Sequence, residues 1–279
     1  MDRLDALYNR LHVRGFVVNS LPKSGTNLVK KAIAQFPGIR DSGERVFSKP
    51  ELQFSAGELA GQEQVAIGIG QPAAIPARVL QQSLDKLGRA RHAAWHVPYD
   101  PTTAAMLARN AINMVIVMRD PRDVVFSQVR YVMKLPDHRL HAHYASLPEH
   151  ERVIASICGI PAGPAALVDI KTRCQMIMQW RDYSRTYLTT FERLVGPQGG
   201  GDRATQLAEL AAVARHLGIR TSRARLDAIV DTLFGGTSTF HKGAIGGWRE
   251  VITPEQKDVF KAVAGEILID LGYERDMDW

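Results

Sequence analysis

Short apolar runs alternate along the chain with stretches in which apolar residues recur at helical spacing. Runs rich in β-branched and aromatic residues predict strands at residues 15–20, 64–70, 91–96, 112–119 and 186–191. Helical spacing first appears after the first run, at Leu28, Ala32, Ile33 and Phe36. Further helices are predicted near residues 76–88, 102–110, 121–134, 171–185, 202–217 and 221–234. This alternation predicts an α/β fold with a central, mostly parallel sheet flanked by helices on both faces.

The domain organisation follows from the length of the chain and its one glycine-rich break. The 279 residues are 45% hydrophobic, which is ample for a buried core. The break lies at residues 194–202, and the part that follows it is too short to hold a sheet of its own. We therefore expect a single domain over residues 1–279.

The net charge indicates the kind of partner, and the cysteine content indicates the cellular compartment. The formal net charge of +6 fits a polyanionic partner such as a nucleotide cosubstrate or an acidic glycan. Cys158 and Cys174 show neither metal-ligand spacing nor a disulfide framework, which predicts a reducing cytoplasm. Because no apolar run approaches membrane-spanning length, we expect a protein without a membrane span. We expect no nucleic-acid partner, and a homodimer is left open.

The sequence NSLPKSGTNL, residues 19–28, joins the first predicted strand to a helix. Backbone N–H groups at such a junction, together with the positive end of the helix dipole, form an anion site. Lys23 adds a mobile cation, and Gly25 lets the backbone approach phosphate oxygens closely. Side-chain donors come from Ser24, Thr26 and Asn27. The alternative is an ordinary strand-to-helix turn with a solvated lysine.

This loop differs from the phosphate loop of the common nucleotide hydrolases. That loop requires a Gly-Lys dipeptide, and the chain contains none. The lysine here precedes the glycine. The sequence therefore argues against a conventional ATPase or GTPase and in favour of another phosphorylated ligand.

A second candidate anion site follows the apolar strand at 112–119. Arg119 stands at the carboxyl end of this strand, where open α/β sheets bind ligands. Asp120 and Pro121 suit the N-cap and first residue of a helix, which places Ser127 about two turns along it. An arginine and a hydroxyl can hold a second phosphate. The alternative is that Arg119 only pairs with Asp120 or Asp123.

Histidines supply the candidate acid–base chemistry. His96 ends the strand at 91–96 and can act as a general base, although a lone histidine is often only a satisfied polar residue. The segment DHRLHAHY contains His138, His141 and His143, but no cysteine or carboxylate ligand supports a metal site there. We expect no metal, and interpret this segment as a surface loop over the active site.

Four motifs in this order resemble the PAPS-dependent sulfotransferases, which move a sulfuryl group from 3′-phosphoadenosine 5′-phosphosulfate (PAPS) to a hydroxyl or amine. LPKSGTNL is similar to the family's 5′-phosphosulfate loop, and RDPRDVVFS to its 3′-phosphate motif. WHVP stands where the family often has His-Leu-Pro. FHKGAIGGW, with TPEQ and LGYERD after it, resembles the C-terminal segment, in which glycines and basic residues suit an anion-covering loop although a plain surface turn is the alternative. The resemblance spans residues 16–275.

The resemblance implies a single α/β domain related to nucleotide kinases, with a P-loop-like phosphate site. It implies His96 as the base, Lys23 as the cation that stabilises the leaving phosphate, and Ser127 as a residue that biases Lys23. The implied cosubstrate-binding residues are Pro22, Lys23, Ser24, Gly25, Thr26, Asn27, Arg119, Ser127, Phe191, His241, Lys242 and Gly243. Three positions depart from the family: His241 replaces an arginine, Gly247 a frequent aspartate and Phe191 a frequent tyrosine.

The implied reaction is in-line attack of an acceptor hydroxyl on the sulfur of PAPS. Positioning and electrostatics should dominate, as in phosphoryl transfer. The acceptor is expected to be a glycan, a lipid or a small-molecule alcohol, held by the stretches at 41–62, 70–80 and 134–165. Two alternatives remain at this point: a nucleoside or small-molecule kinase that uses ATP and Mg²⁺, and a nucleotide- or glycan-binding module without turnover.

Overall fold

The computed structural model describes residues 2–46, 52–235 and 243–279. Within these ranges the strands are β1 (Phe16–Ser20), β2 (Arg40–Val46), β3 (Gln64–Ile67), β4 (Ala73–Pro76), β5 (Arg91–Trp95), β6 (Asn113–Met118) and β7 (Thr186–Thr190). The helices are α1 (Asp2–His12), α2 (Thr26–Ile33), α3 (Ala56–Leu59), α4 (Ala77–Asp85), α5 (Pro101–Arg109), α6 (Pro121–Met133), α7 (His141–Ala145), α8 (Glu149–Cys158), α9 (Ile170–Met178), α10 (Phe191–Leu194), α11 (Arg203–Leu217), α12 (Arg223–Leu233) and α13 (Pro254–Asp270).

The central sheet has five strands in the order β2-β5-β1-β6-β7. Every pairing between neighbouring strands of this sheet is parallel. Because β1 lies between β5 and β6, the segments that follow these three strands meet at one edge of the sheet. The α/β fold with a central parallel sheet is thus confirmed, and its strand order brings the predicted motifs together.

The prediction of a strand at residues 64–70 is correct only in part. β3 ends at Ile67 and pairs antiparallel with β4 in a separate two-stranded sheet. The edge strand of the central sheet next to β5 is instead β2, which the sequence did not reveal. Its sequence, RDSGERV, is polar because it is an edge strand, and its pairing with β5 shifts register between Asp41 and Arg45.

Alternating side chains of the central strands build two cores, one on each face of the sheet. Val17 belongs to the face covered by α6, α8, α9 and α13, whereas Phe16 and Val18 belong to the face covered by α2, α11 and α12. The same alternation occurs in β6, whose residues are buried almost without exception. Helices on both sides of the 194–202 break therefore pack on one sheet.

His92 on β5 makes the stability of this core depend on pH. The side chain is buried, and neither ring nitrogen has a hydrogen-bond partner within the described residues. Burial is the main cause that lowers the pKa of His92 to about 4. An unfolded histidine has a pKa of about 6.5, so below that pH the unfolded chain takes up a proton that folded His92 does not.

We expect the free energy of unfolding to fall between about pH 6.5 and pH 4 by about 3 kcal/mol on account of His92. His92→Gln should remove most of this loss, measured by urea unfolding at both ends of the range. His12→Gln, at an exposed histidine of α1, is the matched control. An unchanged pH dependence in His92→Gln would show that His92 is not the group responsible.

Candidate active site

A cavity of about 740 Å³ lies at the carboxyl edge of the central sheet. The predicted site residues that line it are Pro22, Lys23, Gly25, Thr26, Asn27, His96, Arg119, Ser127, Phe191 and Gly243. Ser24 is fully buried beneath them. His241 and Lys242 lie outside the described residues. The fold therefore gathers residues that follow four parallel strands, β1, β5, β6 and β7, around one cavity.

The loop between β1 and α2 exposes the start of α2 to this cavity. Lys23 and Gly25 have φ angles of 74° and 100°, both in the left-handed region. Gly25 is the N-cap of α2, and no side chain caps the helix there. The buried hydroxyl of Ser24 has no hydrogen-bond partner in the part of the chain that the structure describes. Uncapped N–H groups, a buried donor and a lysine form a site for an anion.

Gly25 is required by contact as well as by conformation. A Cβ at this position would lie 2.9 Å from Cδ2 of Phe191, the first residue of α10. The left-handed φ alone disfavours any L side chain. Gly25 therefore lies directly against the aromatic ring of Phe191 and also lines the cavity.

Gly25→Ala is expected to weaken binding of 3′-phosphoadenosine 5′-phosphate (PAP), the product of PAPS, at least about tenfold, because the loop must shift away from Phe191. The strained backbone should also cost about 1–3 kcal/mol of folding free energy. Calorimetry with PAP and urea unfolding measure the two effects. Gly43→Ala is the matched control, since its φ is 82° but nothing lies within 4 Å of its Cβ position. Parental PAP affinity in Gly25→Ala would contradict this account.

Asn19 ties the end of β1 to the segment after β5. Its Nδ2 donates to the carbonyl of Val97 at 2.9 Å, and its Oδ1 accepts from the N–H of Val97 at 3.0 Å. The side chain is fully buried. Asn19 thereby fixes His96 relative to the loop between β1 and α2. The sequence did not reveal this role, because it depends on a contact between two residues that lie 78 positions apart.

His96 is held in one tautomer. Its Nδ1 lies 2.7 Å from the carbonyl oxygen of Ser20, which only accepts, so Nδ1 carries the proton and Nε2 is the basic nitrogen. The hydroxyl of Ser20 lies 3.3 Å from Nδ1 and 2.6 Å from Oγ1 of Thr26. Burial, followed by the charge of Lys23, lowers the pKa of His96, so the ring is neutral near pH 7. This geometry suits a general base.

Lys23 rests on an aromatic ring that the sequence analysis did not identify. Its Nζ lies 3.7 Å from the ring centroid of Tyr131, on α6. Burial and the neighbouring charges of Arg119 and Arg130 lower the pKa of Lys23 to about 8. A bound anion would offset these charges and favour protonated Lys23.

Arg119 points into the cavity and is paired at the same time. Its Nη2 lies 3.2 Å from Asp123 and donates to the carbonyl of Ala244 at 2.7 Å. The guanidinium lies 4.1 Å from the ring centroid of Phe191. Its buried Nε has no hydrogen-bond partner within the described ranges. The pairing with Asp123 that the sequence suggested therefore occurs without removing Arg119 from the cavity.

Asp123 holds the C-terminal segment against α6. It accepts hydrogen bonds from the backbone N–H groups of Gly246 and Trp248, each at 3.0 Å. A Cβ at Gly247 would lie 3.6 Å from Oδ1 of Asp123, so the glycine keeps a second carboxylate away from it. Asp123 therefore fixes the backbone on both sides of Gly247.

Residues 271–276, near the C-terminus, also contact the start of α6. Arg122 is fully buried. Its Nη2 lies 2.8 Å from Oδ2 of Asp120, and its Nη1 lies 2.5 Å from Oε1 of Glu274. Its Cζ lies 3.9 Å from the ring centroid of Trp248. Glu274 belongs to the LGYERD sequence that carried part of the resemblance. The contacts of Glu274 therefore brace the start of α6, the helix that carries Ser127 about two turns further on.

Each of the three stretches expected around the acceptor contributes to the cavity. The contributing residues are Arg45 and Gln53, Gln71, and Asp137, His138 and Arg139. The DHRLHAHY segment, interpreted as a surface loop over the active site, lines the cavity with its first three residues and continues into α7. The described residues contain no group of three or more His, Cys, Asp or Glu side chains that could hold a metal ion. Across the described ranges, none of the helices has the length and apolar character needed to cross a membrane.

The family model of the sulfotransferase domain matches residues 14–194, from just before β1 to the end of α10. The chain belongs to the sulfotransferase family. Sulfuryl transfer, the activity class that the motifs indicated, is thereby confirmed. The matched range contains the phosphate loop, His96, Arg119 and Ser127, and it leaves out the segment at 243–248.

The fold of this sulfotransferase is similar to that of a solved structure, mouse sulfotransferase SULT7A1 complexed with PAP. The two chains are 15% identical, with a TM-score of 0.58 over 92% of this chain and 86% of the mouse chain. At this identity the likeness establishes the fold of the sulfotransferase. Comparison with curated proteins gave no match.

Proposed function

We propose that this sulfotransferase transfers the sulfuryl group of PAPS to an acceptor hydroxyl in the cavity at the carboxyl edge of the sheet. The observation that carries the proposal is the convergence of Lys23, His96 and Arg119, from the ends of three strands, on that cavity. The similar mouse sulfotransferase was solved with PAP, which supports the same donor here. PAPS is a cosubstrate, and the chemistry that it supplies is a sulfuryl group on a good leaving group.

The donor set fits two separate anionic groups. The loop after β1 offers Lys23, the buried Ser24 hydroxyl and the uncapped start of α2 to a 5′-phosphosulfate. Arg119 and Ser127 offer a guanidinium and a hydroxyl to a 3′-phosphate. Both Ser24 Oγ and Arg119 Nε are buried without a hydrogen-bond partner in the described structure. Such atoms are costly unless a ligand satisfies them, which supports anion binding at both places.

His96 has the tautomer and protonation state of a base. Nδ1 is engaged by the Ser20 carbonyl, so Nε2 takes the proton of the acceptor hydroxyl. The lowered pKa keeps the ring unprotonated at neutral pH. The same neighbourhood links His96 through Ser20 to Thr26 of the phosphate loop. Base and loop are therefore positioned by one hydrogen-bonded unit.

Lys23 supplies the mobile positive charge for the leaving phosphate oxygen. In the ligand-free protein its Nζ rests on the ring of Tyr131 at the cavity. Ser127, one turn before Tyr131 on α6, biases its position. A flexible ammonium suits this role better than a rigid guanidinium.

Thermal unfolding with PAP and with ATP plus Mg²⁺ separates this function from the kinase alternative. We expect PAP to raise the unfolding temperature markedly and ATP with Mg²⁺ to raise it little, because only a preferred ligand stabilises strongly. Arg119→Ala should reduce the PAP effect. Stronger stabilisation by ATP with Mg²⁺ than by PAP would favour the kinase. Equal stabilisation by both would favour a general nucleotide-binding module.

A further inference from the structure

Four arginines line the cavity: Arg45, Arg119, Arg130 and Arg139. Two of them are neutralised, since Arg45 lies 2.6 Å from Asp41 and Arg119 lies 3.2 Å from Asp123. Arg130 and Arg139 have no carboxylate partner among the residues that the structure describes. Within the described structure, the cavity thus offers its ligands two guanidinium groups that are not held in an ion pair with a carboxylate.

Arg130 lies on the nucleotide side of the cavity. It stands one turn beyond Ser127 on α6. Burial, followed by the charge of Arg119, lowers the pKa of Arg130, whereas Asp123 opposes this shift. Arg130 also contributes to the lowered pKa of Lys23. Its charge therefore adds to the part of the cavity assigned to the phosphates of PAPS.

Arg139 lines the same cavity as His96 and lies against a different element. A Cβ at Gly70 would lie 3.6 Å from Nη2 of Arg139, which places the guanidinium against the turn between β3 and β4. The N–H of Gly68, in that turn, donates to the backbone carbonyl of His96 at 2.9 Å. Gln71, on the same turn, also lines the cavity. Arg139 and Gln71 therefore belong to the stretches expected around the acceptor, and they line the same cavity as His96.

The guanidinium of Arg139 is anchored at one end and available at the other. Nη1 donates to the carbonyl of Ala166 at 2.6 Å. The edge formed by Nε and Nη2 makes no hydrogen bond within the described residues. This edge has the geometry that binds a carboxylate through two parallel hydrogen bonds. Asp137 is close in sequence, but it is exposed and forms no ion pair with Arg139 within the described structure.

We infer that the acceptor carries a carboxylate besides the hydroxyl that receives the sulfuryl group, and that Arg139 binds this carboxylate. The inference rests on the proposed function. In the reaction the acceptor oxygen bonds to sulfur, the bond from sulfur to the phosphate oxygen breaks, and the proton passes to His96. The carboxylate is unchanged and serves to orient the hydroxyl. Hydroxy acids and uronic acid sugars share this chemistry.

Matched acceptor pairs test the inference with the full chain and PAPS. One pair is 4-hydroxyphenylacetate and its amide, and the other is methyl glucuronide and methyl glucoside. We expect kcat/KM for an acid to exceed that of its neutral partner at least about tenfold in one pair. The pair that shows the higher kcat/KM for its acid identifies the acceptor class as a small hydroxy acid or an acidic sugar. Arg139→Gln should reduce the ratio to about one, and Arg139→Lys should retain part of it, because it keeps the charge without the fork.

Arg215→Gln, at an exposed arginine of α11, controls for a change in overall charge and should leave the ratio as in the parent. The inference is overturned if neutral partners are sulfated as well as the acids, if Arg139→Gln lowers both members equally, or if a protein stabilised by PAP sulfates no acid. Binding of PAP is measured in parallel. A protein that does not bind PAP loses the proposed function itself, and the inference with it.

Discussion

His96→Ala is expected to lower turnover by about 10²–10⁴-fold while PAP affinity changes by less than about twofold. The variant removes the nitrogen that takes the acceptor proton but leaves the phosphate loop and Arg119 in place. Turnover is measured as PAP released from PAPS in the presence of an acceptor. In the parent, turnover should rise with pH through the pKa of His96, below about 6.5, because only the neutral ring accepts a proton.

His138→Ala is the matched control for this experiment, since His138 also lines the cavity. Its Nδ1 accepts from the N–H of Leu140 at 3.2 Å, and its ring packs edge-on against Tyr131. These contacts give it a supporting position, so we expect a loss of less than about tenfold. If His138→Ala loses more turnover than His96→Ala, the base is His138 and the assignment of His96 is wrong.

Lys23→Ala should lower kcat/KM for PAPS by about 10²–10³-fold, because it removes the charge that stabilises the leaving phosphate oxygen. With its pKa at about 8 in the ligand-free protein, Lys23 loses its proton as pH rises past that value. The parent's kcat/KM for PAPS should therefore decline above about pH 8. Bound phosphosulfate raises the pKa of Lys23, so the corresponding decline in kcat should begin at a higher pH.

Lys23→Arg tests this explanation, because arginine stays charged throughout the range. The decline above about pH 8 should vanish in this variant, although its rigid fork should lower turnover overall. A decline at the same pH in Lys23→Arg would assign the titration to another group. Unchanged kcat/KM for PAPS in Lys23→Ala would remove Lys23 from the mechanism.

The sequence was most informative where local chemistry determines structure. The strand at 112–119 and the helix that starts at Pro121 are marked by apolar residues, an aspartate N-cap and a proline, and both are present. The loop sequence also predicted the strand-to-helix junction at which Gly25 stands as the N-cap of α2. Because parallel strands end at one edge, these local predictions also brought His96 and Arg119 to the same cavity.

Features that depend on tertiary context were not visible in the sequence. β2 is a polar edge strand with a register shift, so it lacks the apolar pattern on which strand prediction relies. Tyr131 beneath Lys23 reads in the sequence as one more aromatic residue of α6. Arg139 lies against the β3–β4 turn, which is far from it in sequence, so its place in the cavity could not be predicted from the sequence.

Calorimetric titration of the full chain with PAP and with AMP tests the central claim most directly. The two nucleotides differ only in the 3′-phosphate, which the account places at Arg119 and Ser127. We predict that PAP binds at least about 100-fold more tightly than AMP, and that Arg119→Ala reduces this difference to less than about tenfold. Equal affinity of the parent for PAP and AMP would contradict the assignment of the cavity to a 3′-phosphoadenosine nucleotide.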